Sequence, residues 1–317
     1  MDLLGIHHLT AISAQIRQNH AFYTQTMGMR LVKRSVNQDD VSAYHLFYAD
    51  ATGSPGTDLT FFDWPVPTEQ RGTRSIIRTG LRVPGSETLE WWRVRFEARG
   101  VVHGGIVERD GRATLDFEDP EGQRLSLVND SGAGDPPVPW DRSPVPEAHQ
   151  IRGLGPITIS VPALAPTERL LSRVLNMQMT RDYAYADAAQ TVVRVFTMGR
   201  GSGPHAELHV AVQPDLPNGR QGAGGVHHVA FRTPDADYEA WADRLNELGI
   251  PNSGKVDRFW FRSLYVREPN GVLFEIATEG PGFAVDEDVS TLGEKVVLPP
   301  FLERQREQIV RDLKPID

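Results

Sequence analysis

The sequence contains no cysteine, which excludes disulfides, thiolate nucleophiles, cysteine-bound zinc and iron–sulfur clusters. It also lacks any run of about 18 consecutive apolar residues, so no membrane-spanning helix is predicted. Lys and Arg number 33 against 42 Asp and Glu, with no basic run, which argues against nucleic acid or an anionic membrane as a partner. The opening residues do not have the basic and apolar regions of a secretory signal. We therefore expect a cytoplasmic protein in which His, Asp or Glu holds any metal.

An internal repeat is the most informative feature that the sequence does contain. Segments 5–10 (GIHHLT) and 225–230 (GVHHVA) nearly coincide, and each begins a β-like run that a helical pattern follows. Two further segments, beginning near residues 76 and 153, keep this layout without the histidines. Repetition of this kind indicates several copies of one supersecondary unit.

The repeats predict the fold class. Four β-α-β-β-β modules are expected near residues 5–63, 76–129, 152–213 and 223–278. A lone module has an open sheet edge and an exposed apolar face, so modules are expected to pair, with their helices outside and a cleft inside. The predicted class is therefore α+β, with two paired-module domains whose curved mixed sheets surround a metal cleft.

The domain boundaries are predicted from a change in composition. A stretch rich in Pro, Gly and Asp separates the second module from the third, as interdomain linkers often do. We expect a domain over 1–130, a linker over 131–150, a second domain over 151–280 and a tail over 281–317. A helix is predicted near the end of the tail, and it packs on its own domain or on a second copy of the chain through an apolar stripe formed by Leu302, Ile309, Val310 and Leu313.

The two histidine doublets suggest a metal site. Side chains alternate along a strand, so only one His of each doublet faces a given cleft. Glu275 stands alone in an otherwise apolar strand, where a carboxylate is costly to bury unless it is paired or bound to metal. Two imidazoles and one carboxylate form a face that suits non-haem Fe(II). The alternative for Glu275 is an edge-strand charge that prevents aggregation. The equivalent positions in other modules hold Arg78 and Pro156 in place of the second histidines, and Ser126 and Thr60 in place of the carboxylate.

A rival cluster lies in the third module. Glu207 stands between His205 and His209 in a short β-like run. Because Arg78 and Pro156 replace the histidines on the opening strands of the second and third modules, partner ligands are missing. We therefore predict that Glu207 lies on a solvated strand face.

Several longer segments carry a resemblance to a known family. They are 36–40 (VNQDD), 44–48 (YHLFY), 53–62 (GSPGTDLTFF), 257–261 (DRFWF), 263–265 (SLY), 271–278 (GVLFEIAT) and 298–302 (LPPFL). With the repeat, these segments resemble the vicinal-oxygen-chelate superfamily, which includes glyoxalase I, bleomycin-resistance proteins and extradiol dioxygenases. Within it, the sequence most resembles the hydroquinone-type ring-cleaving dioxygenases, such as dichlorohydroquinone dioxygenase.

The resemblance implies a metal centre and a reaction. It implies that His8, His228 and Glu275 bind Fe(II), with Mn(II) as the alternative metal, and that the first and fourth modules share the active cleft. The implied substrates are O₂ and a hydroquinone- or catechol-type aromatic diol, whose ring opens with insertion of both oxygen atoms.

The resemblance also implies roles around the metal. It places His7 and His227 close to the site and Thr10, Arg258 and Tyr265 near the substrate. His7, His227 or Tyr265 would then move protons, and Arg258 would stabilise developing negative charge. The alternatives are that Arg258 pairs with a surface acid and that Tyr265 is an aromatic residue of the sheet core.

Two other functions stay open from the sequence. A glyoxalase-type isomerase or lyase of this superfamily uses four protein ligands, two of them glutamates, and Thr60 stands where the second glutamate would be expected. A metal-free small-molecule binding protein, as in the drug-resistance branch, has no use for two inward histidines and a matched glutamate. The ring substituents of the substrate, the preference for a para- or ortho-diol and the oligomeric state are not encoded in a readable motif.

Overall fold

The computed structural model describes residues 1–185, 188–199 and 203–316. The first half of the chain forms two successive β-α-β-β-β modules. The first consists of β1 (Ile6–Ser13), α1 (Ile16–Ala21), β2 (Arg30–Val36), β3 (Tyr44–Ala49) and β4 (Asp58–Asp63). The second consists of β5 (Ser75–Val83), α2 (Ser86–Arg99), β6 (His103–Arg109), β7 (Arg112–Glu118) and β8 (Arg124–Asn129).

The second half repeats this layout. The third module consists of β9 (Gly153–Val161), α3 (Leu164–Arg169), β10 (Gln178–Tyr185), β11 (Ala188–Thr197) and β12 (Glu207–Val212). The fourth consists of β13 (Val226–Thr233), α4 (Tyr238–Glu247), β14 (Val256–Asp257), β15 (Arg262–Arg267) and β16 (Leu273–Thr278). The predicted α+β fold of four modules is confirmed.

The modules pair crosswise into two curved, mixed, eight-stranded sheets. The first sheet has the order β14-β15-β16-β13-β1-β4-β3-β2, so it joins the fourth module to the first. The second has the order β10-β11-β12-β9-β5-β8-β7-β6 and joins the third module to the second. The first and fourth modules therefore share one sheet, as expected. Because each sheet takes one module from each half of the chain, the division into domains at 1–130 and 151–280 stays a prediction.

The helices are held by apolar side chains that recur at helical spacing. Leu89, Trp92 and Phe96 of α2 are fully buried in the main core, which contains strand residues of both sheets. The helix ends at Gly100, whose φ of 66° is left-handed, a conformation that glycine adopts without steric cost. The shorter helices α1 and α3 each continue into one π-helical turn, over Phe22–Thr26 and Leu170–Val174. None of the described helices combines the length and the apolar composition needed to cross a membrane.

The linker and the tail both pack on the first module. In the linker, the backbone N–H of Val138 donates to Asp50 Oδ2 over 2.9 Å. The tail helix α5 (Arg306–Asp312) buries Ile309 against Leu302 and against Val36 of β2. The predicted stripe is wrong in one position, since Val310 is exposed. The tail therefore covers its own chain, and its packing supplies no argument for a second copy.

Candidate metal centre

Three neighbouring strands bring His8, His228 and Glu275 together. His8 lies on β1, His228 on β13 and Glu275 on β16, which are adjacent in the first sheet. Glu275 Oε2 lies 3.2 Å from His8 Nε2 and 2.9 Å from His228 Nε2. The two Nε2 atoms lie 3.4 Å apart. All three side chains are buried, so the structure places the predicted ligands within reach of a single ion.

Strand register explains why residues so distant in sequence converge. β1 pairs antiparallel with β13, and Thr10 faces His228 across this pair. β13 in turn pairs parallel with β16, where Ala230 faces Glu275. A side chain two positions along a strand lies on the same face, so His228 and Glu275 point into one cleft. Glu275 is therefore a central-strand residue, and the interpretation as an edge-strand charge is wrong.

The electrostatics of this cluster favour a cation. Burial disfavours the charged form of Glu275, but the facing imidazoles of His8 and His228 outweigh burial and hold its pKa well below the usual range. Ser263 Oγ donates to Glu275 Oε1 over 2.5 Å, whereas Oε2 is buried and accepts no well-formed hydrogen bond. A buried carboxylate oxygen without a partner is costly. Two imidazole nitrogens and this oxygen therefore fit a divalent transition-metal ion, which would satisfy Oε2.

The first histidine of each doublet contacts the second. His7 Nδ1 lies 2.9 Å from His8 Nδ1, and His227 Nδ1 lies 2.8 Å from His228 Nδ1. Burial lowers the pKa of both His7 and His227 to about 3, and the adjacent histidine adds to the shift. Both first histidines are therefore neutral imidazoles at neutral pH. Each contacts the Nδ1 atom of the following histidine, on the side of that ring away from the Nε2 cluster.

Arg258 and Tyr265 line the cleft beside the cluster. Arg258 Nε donates to the Tyr265 hydroxyl over 3.2 Å, and Arg258 Nη2 donates to Asp39 Oδ2 over 2.9 Å. Burial raises the pKa of Tyr265, and the nearby Glu275 carboxylate raises it further. Tyr265 faces Glu275 across the β15–β16 pair. Both residues therefore belong to the cleft. Arg258 also forms an ion pair with a surface acid, which was the alternative predicted from the sequence.

A cavity opens over these residues. Its wall contains Phe62, Trp260 and Phe261, together with Phe47. The Phe261 ring centroid lies 5.1 Å from that of His8. The full lining is His8, Asn37, Gln38, Asp39, His45, Phe47, Phe62, His228, Arg258, Trp260, Phe261 and Tyr265. A flat aromatic molecule is the kind of ligand that such a wall favours.

His45 is a cleft residue to which the sequence assigned no role. Its Nε2 lies 2.9 Å from Thr60 Oγ1, which lies 2.8 Å from Thr10 Oγ1. Thr10 Oγ1 in turn lies 3.1 Å from His228 Nε2. These contacts form a continuous hydrogen-bonded chain from the metal cluster to the cleft wall. The sequence did contain an indication that His45 is functional. It is a polar residue within the otherwise apolar segment 44–49, just as Glu275 is a polar residue within an apolar strand.

The rival cluster around Glu207 is also buried, so the prediction of a solvated strand face is wrong. Glu207 is 1% exposed and His209 is 2% exposed. Glu207 is held by Arg112 and Arg181, which donate to its two oxygens over 2.7–2.9 Å. Arg112 comes from the second module and Glu207 from the third. They lie side by side because these two modules pair within one sheet, which is not visible in the local sequence.

Comparison with known proteins agrees with this geometry. The family model of the glyoxalase/bleomycin resistance protein/dioxygenase superfamily matches residues 5–127 and 153–276. The chain is 44% identical over 319 residues to MhqA of Bacillus subtilis, provisionally named a ring-cleaving dioxygenase, with 100% of both chains covered. The chain belongs to this superfamily and, within it, to the ring-cleaving dioxygenases.

Two further relatives support the family. The chain is 31% identical over 320 residues to the chlorohydroquinone/hydroquinone 1,2-dioxygenase of Sphingobium indicum, covering 98% of this chain and 95% of the relative. A solved structure of a Bacillus subtilis protein, provisionally named a dioxygenase, superposes with a TM-score of 0.89 at 32% identity, covering 99% and 98% of the two chains. Glyoxalase I from maize, with a TM-score of 0.62 at 15% identity, shares the fold.

Proposed function

We propose that this ring-cleaving dioxygenase is a non-haem Fe(II) enzyme that opens hydroquinone- or catechol-type diols with insertion of both atoms of O₂. The observation that carries the proposal is the buried cluster of His8 Nε2, His228 Nε2 and the unsatisfied Glu275 Oε2. Mn(II) fits the same donor atoms and is the alternative metal. A cytoplasmic location is part of the proposal.

His8, His228 and Glu275 would hold a divalent ion, which would supply the positive charge that lowers the pKa of a diol hydroxyl. His7 and His227, the first histidine of each doublet, orient two of these ligands. For Nε2 to carry a lone pair, Nδ1 of His8 and of His228 carries the proton and donates to Nδ1 of the preceding histidine. His7 and His227 thereby fix the tautomer and the ring orientation of the ligand that follows.

Arg258 and Tyr265 bind the oxygen atoms of the substrate. The Tyr265 hydroxyl accepts a hydrogen bond from Arg258 Nε, so its own proton is free to be donated into the cleft. Because its pKa is raised by burial, Tyr265 keeps that proton at neutral pH. The Arg258 guanidinium stabilises negative charge that develops on the substrate. Phe62, Trp260 and Phe261 contact the ring and exclude water, which strengthens both interactions.

Replacing Tyr265 with phenylalanine is expected to lower kcat about a hundredfold without loss of metal. The change removes the proton donor, and positioned proton transfer contributes about 10²–10⁴-fold to catalysis. Oxygen uptake and metal content measured on the same preparation test this. The matched control is Tyr44→Phe, because the Tyr44 hydroxyl is likewise buried and accepts from an arginine, Arg34, over 3.2 Å, but does not line the cleft. Equal rates for Tyr265→Phe and wild type would contradict the proton-donor role.

Replacing His45 with phenylalanine is expected to raise KM for the diol up to about tenfold. The hydrogen bond to Thr60 Oγ1 is lost, and a typical hydrogen bond contributes about 1 kcal/mol. Thr60 orients Thr10, which lies beside the cluster, so the expected effect is on substrate binding and metal content stays unchanged. Steady-state kinetics with variable diol measure the change. An unaltered KM would exclude a role of His45 in substrate binding.

The reaction itself is tested by anaerobic reconstitution of the metal-free protein with Fe(II), Mn(II) or Zn(II) in parallel. Hydroquinone, catechol and chlorohydroquinone are then assayed with an oxygen electrode, and ¹⁸O₂ labelling shows whether both atoms enter the product. We expect rapid uptake with Fe(II) and incorporation of two labelled atoms. Isomerisation of a hemithioacetal without oxygen uptake would instead favour a glyoxalase-type enzyme. Failure to bind any of the three metals would favour a binding protein.

A further inference from the structure

The second sheet contains a cavity of its own. It is lined by Arg78, Gly80, Arg109, Asp110, Arg112, Thr114, Ser126, Val128, Pro156, Thr158, Tyr183 and His209. The cluster of Glu207 and His209 that the sequence singled out borders this cavity, and no part of the proposed reaction uses it.

Strand register shows that this cavity is the counterpart of the metal cleft. In the first sheet Thr10 faces His228 across the central antiparallel pair. In the second sheet Thr158 faces Arg78 across the corresponding pair of β9 and β5. Arg78 therefore occupies the position of His228, as the sequence repeats predicted.

The carboxylate position is equivalent in the same way. Ala230 faces Glu275 in the first sheet, and Gly80 faces Ser126 in the second. The buried carboxylate of one cavity is therefore replaced by a hydroxyl in the other, while an imidazole is replaced by a guanidinium. The same architecture thus offers a site for a cation in one sheet and positive charge in the other.

A metal ion does not fit the second cavity. Asp110, Glu207 and His209 lie close enough to share an ion, but Arg112 and Arg181 form ion pairs with both carboxylates. Guanidinium groups at these carboxylates would repel a divalent cation and already occupy the oxygen atoms that would bind it.

Arg78 is the least satisfied of the cavity's cations. Asp116 is held by both Nη atoms of Arg109 over 2.6–2.9 Å and by Ser126 Oγ over 2.5 Å. Arg78 reaches Asp116 through Nη1 alone, over 3.1 Å, and the same Nη1 makes longer contacts of 3.4 Å with Ser126 Oγ and 3.5 Å with the carbonyl oxygen of Leu125. The Nε atoms of Arg78 and Arg109 are buried and have no hydrogen-bond partner among the described residues. A guanidinium has five N–H donors, so Arg78 retains binding capacity.

The charges around the cavity do not cancel. The network comprises four guanidinium groups, Arg78, Arg109, Arg112 and Arg181, and three carboxylates, Asp110, Asp116 and Glu207. His209 Nε2 contacts Glu207 over 3.1 Å, and its Nδ1 lies 3.0 Å from the Tyr183 hydroxyl. Among the residues that the structure describes, one positive charge is therefore left without a carboxylate in a largely buried setting, which is costly unless an anion binds there.

We propose that the second cavity binds a small organic monocarboxylate, with its carboxylate on Arg78. One excess positive charge calls for a monoanion, and the planar guanidinium matches the planar carboxylate. Val128, Pro156 and Tyr183 line the same cavity and supply apolar surface for the organic part. The Arg78 side chain is 14% exposed, so a ligand can reach it. This site is separate from the metal cleft and does not depend on the reaction performed there.

The test is calorimetric titration of the full-length, metal-loaded protein with benzoate, with benzamide as the neutral analogue of the same shape. Wild type is expected to bind benzoate saturably and to bind benzamide at least about tenfold more weakly. Arg78→Gln is expected to weaken benzoate binding by about ten- to a hundredfold, because hydrogen bonds to charged groups contribute about 1.5–3 kcal/mol. The matched control is Arg93→Gln, which removes the same charge from the exposed face of α2 and should bind benzoate as wild type does.

The comparison between variants decides the outcome. Benzoate bound elsewhere, including at the metal, would be retained by Arg78→Gln, so equal affinity of this variant and wild type would overturn the proposal. Absence of saturable benzoate binding by wild type would also overturn it. If circular dichroism shows that Arg78→Gln does not fold, Arg78→Lys replaces it. That variant keeps the positive charge but loses the planar guanidinium with its paired N–H donors. Weaker benzoate binding therefore supports the proposal, and unchanged binding overturns it.

Discussion

Replacement of Glu275 by glutamine is expected to lower metal affinity by more than about a hundredfold and to abolish ring cleavage. Loss of a hydrogen-bonding partner around a metal ligand already costs about 10–100-fold, and here the ligand itself loses its charge. Glutamine keeps the shape of the side chain, and its amide can still accept from Ser263 Oγ. The protein should therefore stay folded. Metal content by mass spectrometry, oxygen uptake and circular dichroism together measure the outcome.

Asp58→Asn is the matched control for this variant. Asp58 is 2% exposed and lies on β4, directly opposite His8 on β1. Burial raises its pKa well above the usual range, which favours the neutral carboxyl, and an amide keeps the shape of that group. We expect wild-type metal content for Asp58→Asn. His8→Ala and His228→Ala should lose metal as Glu275→Gln does. If one of the three variants retains full metal occupancy, the residue replaced in it is not a ligand.

The metal-free protein is expected to lose stability as the pH falls from about 6.5 towards 3. Burial lowers the pKa of His7 to about 3, while the unfolded chain takes up this proton near pH 6.5. Between these values the unfolded state binds more protons, so the free energy of unfolding falls with pH, by about 1.4 kcal/mol per pH unit for one such group. Burial outweighs the nearby Glu275 carboxylate and a backbone contact with Thr278, both of which favour the charged imidazolium of His7.

Other groups modify this pH dependence in a known direction. His227, with a pKa lowered to about 3 by burial, acts in the same sense, as does Glu275 at lower pH. Asp119 acts in the opposite sense, because burial raises its pKa to about 6 and the native state takes up its proton first. Asp58 also opposes the loss. The contribution of His7 is therefore best isolated as a difference between variants.

Urea unfolding of wild type and His7→Gln between pH 6.5 and 4 makes this comparison. The variant should have a pH dependence smaller by about 1.4 kcal/mol per pH unit, since one proton is no longer taken up on unfolding. His103→Gln, which makes the same substitution on β6 of the second sheet, should behave as wild type. If His7→Gln and wild type lose stability in parallel, His7 is not the buried neutral imidazole described above.

The sequence predicted those features that depend on local pattern. Side-chain alternation in segments 5–10 and 271–278 identified strands, and the repeated histidine doublet identified equivalent modules. Glu275 was recognisable because a carboxylate in an apolar strand demands a partner. The resemblance to ring-cleaving dioxygenases then supplied the places of Arg258 and Tyr265, which no spacing in the sequence implies.

The errors arose where the outcome depends on strand pairing or on tertiary packing. Glu207 was predicted to be solvated because Arg78 and Pro156 stand in place of partner histidines, yet Arg112, 95 residues away, makes an ion pair with it. His45 had no assigned place because its contact, Thr60, is known only once β3 pairs with β4. Val310 was placed on the apolar stripe of α5, but it is exposed and lies outside the cluster that buries Ile309.

The sequence by itself determined the elements, their repetition and the chemical types of the donor atoms, because alternation, turns and the cost of a buried charge act over a few residues. The tertiary structure decided that the first module joins the fourth, that His8, His228 and Glu275 share one cleft, and that the second cavity is positive. These outcomes depend on pairing between β-strands as far as 220 residues apart. Such pairing is selected by burial of whole sheet faces, which no local segment of the sequence specifies.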